Sequence, residues 1–152
     1  MVKKGDKLYL AHSCLLIDSV RRWEIKVQGR YYIDLINPFN NNTFENVELL
    51  KRLKSKKKLL AYMKTLDDAT CEKIVTYDLD LLRKCDGVVA VFNDFTAGTM
   101  MEIFAGAYLY RLPVYIISPQ KYHPWLRWLS TEMFMSRKAF EEYLKEKGLR
   151  RE

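Results

Sequence analysis

Only two histidines and three cysteines stand among the 152 residues. The cysteines, Cys14, Cys71 and Cys85, are odd in number and form no CxxC pair. That argues against both a disulfide framework and a zinc site, and it fits a reducing cytosol. Cys85, just before an apolar run, reads as a small core residue. Glycine and proline are sparse, at six and four. Gly98-Thr99 lacks the spacing of a Walker loop or a dinucleotide fingerprint. Long apolar runs are missing as well: after the basic start, residues 1–7, the Leu8–Leu10 stretch is soon interrupted by His12, Ser13 and Asp18. A signal h-region or a spanning helix needs a longer clean stretch, so the protein is expected to be soluble and cytoplasmic, with no membrane partner. No internal repeat and no linker divides residues 1–152, which are read as one domain.

What is present points to a packed core. Apolar residues make up 49% of the chain and aromatic ones 13%, well outside the range of disordered segments. The net charge of +7 favours anionic partners such as nucleic acid, nucleotides or phosphate groups. Much of the excess comes from residues 51–58, Lys-Arg-Leu-Lys-Ser-Lys-Lys-Lys. Such a run is most simply a solvated face.

Strand and helix patterns alternate. Residues 7–11 read as a buried strand, and residues 13–28 as a helix with Leu16, Val20, Trp23 and Val27 on one face, ended by Gly29. Residues 31–36 read as a second strand stopped by Asn37-Pro38, and 40–43 as a polar turn. The charged stretch 44–69 is expected to be helical in part. Residues 71–84 read as a helix with Ile74, Leu79, Leu81 and Leu82 as core positions. Val88-Val89-Ala90-Val91-Phe92 has the unbroken apolar character of a central parallel strand. A helix over 99–109, a strand over 114–117 and a helix over 137–147 capped by Ser136 complete the pattern. The expected fold is α/β: a doubly wound, mainly parallel sheet of four or five strands, flavodoxin- or Rossmann-like, with helices on both faces. Ligands of such sheets bind beyond the strands' carboxyl ends, which directs attention to residues 11–16, 37–42, 93–102 and 118–123.

The most informative segment runs from Asp86 to Glu102: a buried strand, a polar loop turning at Gly98, and a helix start. A carboxylate at Glu102 would face the mouth of the cleft, and backbone N–H groups at the helix start would favour its charge. Glu102 as a plain early-turn acid complementing the helix dipole, Tyr9 as a core tyrosine, and Asp78 as an exposed helical acid are the alternatives that the residues leave open.

Taken together, Tyr9-Leu10-Ala11, Asp78, Gly98-Thr99-x-x-Glu102, Ala105-Gly106-Ala107-Tyr108 and Pro113-Val114 resemble the nucleoside 2-deoxyribosyltransferase family. Its superfamily includes nucleoside 5′-monophosphate N-glycosidases. The resemblance covers most of the chain and is strongest over 75–117. Residues 36–39 and 123–126 look like those of phage and microbial members.

The resemblance implies a role for each matching residue. Glu102 would be the nucleophile that attacks the anomeric carbon, Tyr9 the hydroxyl that orients it, and Asp78 the acid that handles the proton of the departing and incoming base. Such a division of labour is chemically coherent, since a retaining displacement needs a nucleophilic carboxylate and a second acid for the leaving group. His12, Ser13, Phe39, Asn93, Asp94, Thr96, Gly98 and Thr99 would surround the substrate. Ser13 and Arg21, which is followed by Arg22, are candidates for a phosphate.

Two departures stand out. His12-Ser13 replaces the Gly-Pro or Gly-Ser of many relatives, and His12 either touches substrate or caps the next helix. Thr96 stands where some deoxyribosyltransferases carry an aspartate, which suits a phosphate or an altered sugar nearby. Trp125 and Trp128 would anchor a subunit interface, with Ser130 or Thr131 reaching a neighbour's pocket. No cofactor or metal is implied; the partners would be a nucleoside or nucleotide, a free nucleobase and a second copy of the chain.

Three functions follow as expectations. The first is base exchange through a glycosylated Glu102. The second is hydrolysis of a nucleoside monophosphate at the same site. The third is a non-catalytic nucleotide or nucleic-acid binding module. The sequence carries no nucleic-acid-reading motif, which places the third last.

Overall fold

The computed structural model describes residues 1–42 and 46–152. Five strands, β1 (Lys7–His12), β2 (Asp34–Ile36), β3 (Gly87–Val91), β4 (Val114–Ile117) and β5 (Glu132–Phe134), form one parallel sheet in the order β2-β1-β3-β4-β5. Side chains alternate cleanly across it. Leu8, Leu10, Val89, Val91, Tyr115 and Ile117 face one side; Tyr9, Ala11, Val88, Ala90, Val114 and Ile116 face the other. With both faces covered, β3 and β4 are buried along their whole length, as parallel strands require.

Helices α1 (Ile17–Arg30) and α7 (Arg137–Glu146) cover the first face through Val20, Trp23, Val27, Phe140, Tyr143 and Leu144. The second face is covered by α4 (Asp68–Arg83), α5 (Ala97–Phe104) and α6 (Pro124–Leu129), through Leu82, Ile103 and Leu126. The short helices α2 (Val47–Arg52) and α3 (Lys56–Met63) lie outside this sandwich on a core of their own, Ile17, Leu50 and Leu59. This is the doubly wound α/β arrangement read from the sequence. Cys85 is buried in the second core, and the apolar surroundings push its thiol up to about 11.

Several boundaries move, each for a local reason. β2 is three residues rather than six. Residues 31 and 32 are engaged elsewhere, with Tyr31 bridged to Arg150 and the Tyr32 amide donating to the Leu149 carbonyl. Gly29 does not end α1. The helix runs through it to Arg30, and the Tyr31 amide closes the last turn on the Val27 carbonyl. α1 is preceded by a separate 3₁₀ turn, Cys14–Leu16, capped by the Ser13 hydroxyl. The helix expected over 71–84 begins earlier because Asp67 accepts from the Thr70 amide and caps it. Of its four proposed core residues Leu82 is buried; Ile74, Leu79 and Leu81 are half-buried. The stretch 44–69 is helical in part, as expected, although Phe44 and Glu45, like Thr43 of the expected 40–43 turn, lie outside the described residues. β5 and α6 are additions to the sequence reading. Ser136 caps α7 as expected, its hydroxyl accepting from the Ala139 amide.

Candidate active site

The chain leaves β1 for β2 on one side and returns to β3 on the other, so the topological switch point lies between the carboxyl ends of β1 and β3. β3 delivers the loop 92–96, and α5 then folds back over β1 and β3. A π-helical turn, Ala105–Leu109, continues α5, with the Tyr110 amide reaching the Ala105 carbonyl. Such turns reposition one side of a helix and recur at functional sites.

Tyr9 is fully buried at the centre of β1, paired with Val88 and Ile36 on the neighbouring strands. Its side chain points to the face covered by α4 and α5. Asp78 on α4 and Glu102 on α5 are both half-buried. The Tyr9 hydroxyl oxygen, Asp78 Oδ1 and Glu102 Oε2 are all shut off from solvent. Tyr9 Oη meets no acceptor in full hydrogen-bond geometry. Even so, burial first, then the negative charges of Glu102 and Asp78, then a looser hydrogen-bonding interaction with Glu102 hold its phenol well above the ordinary range. Tyr9 therefore stays protonated at any physiological pH, near the carboxyl groups of Glu102 and Asp78. The three residues singled out in the sequence stand on β1, α4 and α5, with the Glu102 and Asp78 side chains within electrostatic reach of the buried Tyr9 hydroxyl.

Glu102 sits deeper than the sequence suggests. α5 begins at Ala97, so Gly98 lies within its first turn rather than at a loop turn, and Glu102 is the sixth helical residue. The helix dipole acts mainly on the first turn, so it is not what supports this carboxylate.

At the end of β1, His12 is buried within a polar network the sequence does not reveal. Its Nε2 is 3.1 Å from Asn37 Oδ1, and its Nδ1 3.2 Å from the Ser13 carbonyl. Asn37 Nδ2 donates to Glu24 Oε2, and its Oδ1 accepts from the Phe39 amide. These contacts fix the amide orientation, so both ring nitrogens of His12 face acceptor oxygens, and the neutral ring, with one N–H, donates to one of them at a time. Glu24, 1% exposed, also accepts from Asn40 and pairs with Arg21 at 2.8 Å. Thus His12 is held by the fold beside Phe39, ring centroids 4.9 Å apart, while Ser13 caps the 3₁₀ turn. Arg21 is engaged with Glu24 on α1. Nothing in the sequence pattern distinguishes Glu24 from a surface acid; only the fold buries it.

Of the loop candidates, Asn93, Asp94 and Gly98 are exposed, Thr96 is half-buried at the N-cap position of α5, and its hydroxyl donates to that of buried Thr99 at 3.1 Å. Asp94 Oδ2 meets Lys56 Nζ of α3 at 3.6 Å. Phe95 packs edge-on against His123 at 5.2 Å, a pair absent from the sequence reading.

Beside the buried triad, α5, the π turn and α6 present a continuous apolar surface. One hollow of about 460 Å³ lies between Met100, Phe104, Trp125 and Leu129; a second, sharing Phe104, Trp125 and Leu129, extends it to Tyr108 and Trp128. Trp125 and Trp128 are 65% and 75% exposed. Neither hollow is lined by Tyr9, Asp78 or Glu102. Among the described residues, no three His, Cys, Asp or Glu gather as a metal site would need, and no helix is long and apolar enough to cross a membrane.

No family model and no curated protein sequence matches the chain. Among solved structures it is similar to a 2-deoxyribosyltransferase from the psychrotolerant bacterium Bacillus psychrosaccharolyticus, with a TM-score of 0.63 and 16% identity over 90% of this chain and 91% of that one. At that identity the shared property is the fold: a five-stranded parallel sheet, wound on both faces, in the arrangement of a deoxyribosyltransferase.

Proposed function

We infer that the protein cleaves the N-glycosidic bond of a nucleoside or nucleotide and transfers the sugar to a second base, with Glu102 as nucleophile. The observation that carries this reading is the fully buried Tyr9 hydroxyl, shut off from solvent together with one oxygen each of Asp78 and Glu102 and within their electrostatic reach. The resemblance of the surrounding motifs and the likeness of the fold to a 2-deoxyribosyltransferase support it.

In the first half-reaction a Glu102 oxygen attacks C1′ as the C1′–N bond breaks, giving a glycosyl ester, and Asp78 passes a proton to the departing base. Tyr9, kept protonated by its surroundings, holds the carboxylate in line for attack. In the second half-reaction an incoming base attacks C1′, Asp78 takes its proton, and Glu102 leaves as carboxylate. The apolar surface of α5 and α6 is where a second copy would dock, with Trp125 and Trp128 as anchors, Ser130 or Thr131 reaching the neighbour's site, and the partner closing the cleft.

Intact-mass measurement after exposure to a slowly turned-over deoxynucleoside analogue tests this reading. A sugar adduct mapping to Glu102, and missing in Glu102→Gln, is the expected result. No adduct, together with no base release from any nucleoside or nucleotide, would overturn it. If water rather than a base accepts the sugar, base release proceeds without a second base, and the enzyme is the corresponding hydrolase.

A further inference from the structure

The excess positive charge of this protein is concentrated at one place. Residues 47–64 hold seven lysines and arginines and a single acid, Glu48, against a net +7 for the whole chain. The remaining residues are therefore nearly neutral, and α2 and α3 are the cationic part of the molecule.

The fold carries that charge to the ligand-binding edge of the sheet. Leu50 and Leu59 bury against Ile17, with Leu15 and Phe39 packed around them. The pair of helices is thereby seated on the 3₁₀ turn that follows β1 and on Phe39, the neighbour of His12. From this seat Lys56 reaches across to the loop leaving β3, where its Nζ lies 3.6 Å from Asp94 Oδ2. That loop is one of the two, with the β1 exit, that the topology places over the switch point. Both partners are well exposed, at 60% and 68%, so the pair is weakly held and readily exchanged.

We propose that α2 and α3 form the anion-recognition element of the candidate active site, and that Lys56 exchanges Asp94 for the phosphate of a phosphorylated nucleoside. The assignment rests on the glycosidic reading above and narrows its substrate to a nucleotide. A phosphate monoester carries more charge than a carboxylate and offers three acceptor oxygens, so it outcompetes Asp94 for the ammonium group. Lys57 and Lys58, exposed on the first turn of the same helix, add to the attraction.

The test is calorimetric binding of each common deoxynucleoside and its 5′-monophosphate to the intact protein, alongside base release from both. The monophosphate is expected to bind about tenfold or more tightly than its nucleoside. Lys56→Ala is expected to lower that ratio at least about fivefold, and Asp94→Asn to raise monophosphate affinity by removing the competing anion.

Equal binding of nucleoside and monophosphate, or a Lys56→Ala loss shared equally by both, overturns the proposal. So does an Asp94→Asn loss common to both ligands, which would assign Asp94 to the sugar. Tight, steeply salt-dependent binding of a single-stranded oligonucleotide with no preference for the monophosphate also overturns it, in favour of a general polyanion surface. The two readings fail separately. Lys56-dependent monophosphate binding without base release keeps the anion element and removes the glycosidic chemistry. Equal base release from nucleoside and monophosphate does the reverse.

Discussion

A Cβ placed on Gly106 would stand 2.7 Å from Cγ2 of Val88. The π turn that continues α5 therefore lies against β3 at a distance no side chain allows. This contact sets the height of α5 above the sheet, and with it the depth at which Glu102 meets Tyr9. Gly106→Ala must push the helix outward or distort β3, at a cost of about 1–3 kcal/mol. Because Glu102 is four residues back on the same continuous helix, catalysis should fall by more than the loss of folded protein explains. Denaturant unfolding together with turnover measures both; full activity at unchanged stability would detach the site from this packing.

Tyr9→Phe separates a working hydroxyl from a merely structural one. The ring stays in the core, and Oη makes no full hydrogen bond that would be lost. Stability should therefore change by no more than about 1 kcal/mol in either direction. Removing the donor beside Glu102 should nonetheless slow base release by about 10²-fold. Equal activity in the two proteins would make Tyr9 a core residue and nothing more.

The sequence and the structure part company in instructive places. β3 and β4 are legible because strands covered on both faces must be apolar throughout, and Val88–Phe92 and Val114–Ile117 are. Glu132–Phe134 is not legible: three residues at a sheet edge, one of them exposed, carry no such pattern. Glycine misleads at position 29, where the conformation is ordinary helix, and at 98, where a Cβ would meet nothing. Tyr9, Asp78 and Glu102 are recognisable through the motifs around them. The link from Lys56 to Asp94 is not, because it depends on how two small helices seat on the end of β1.

The exposed indoles of α6 make a prediction about assembly. Trp125 and Trp128, with Tyr108 and Met101 nearby on α5 and its π turn, leave an apolar surface larger than scattered exposed residues make. Sedimentation velocity of the purified protein should show a dimer or larger species. The double substitution Trp125→Ala with Trp128→Ala should shift it to monomer while helix content is kept. A monomeric parent protein, or an unchanged sedimentation coefficient in the variant, would leave this surface without the partner assigned to it.

His12 makes the folded state sensitive to acid. Burial lowers its pKa below the usual 6.5, more than the Asn37 and Ser13 contacts raise it. The folded protein therefore keeps His12 neutral at a pH where the unfolded chain already binds a proton. Stability from this residue is complete above about pH 6.5 and declines as pH falls from there towards the lowered folded value. His12→Gln keeps a donor for Asn37 Oδ1 and removes the titration. Its unfolding free energy should vary less with pH between about 5 and 7 than that of the parent protein. Two parallel stability curves across this range would mean that the buried imidazole takes up its proton as easily in the folded chain as in the unfolded one.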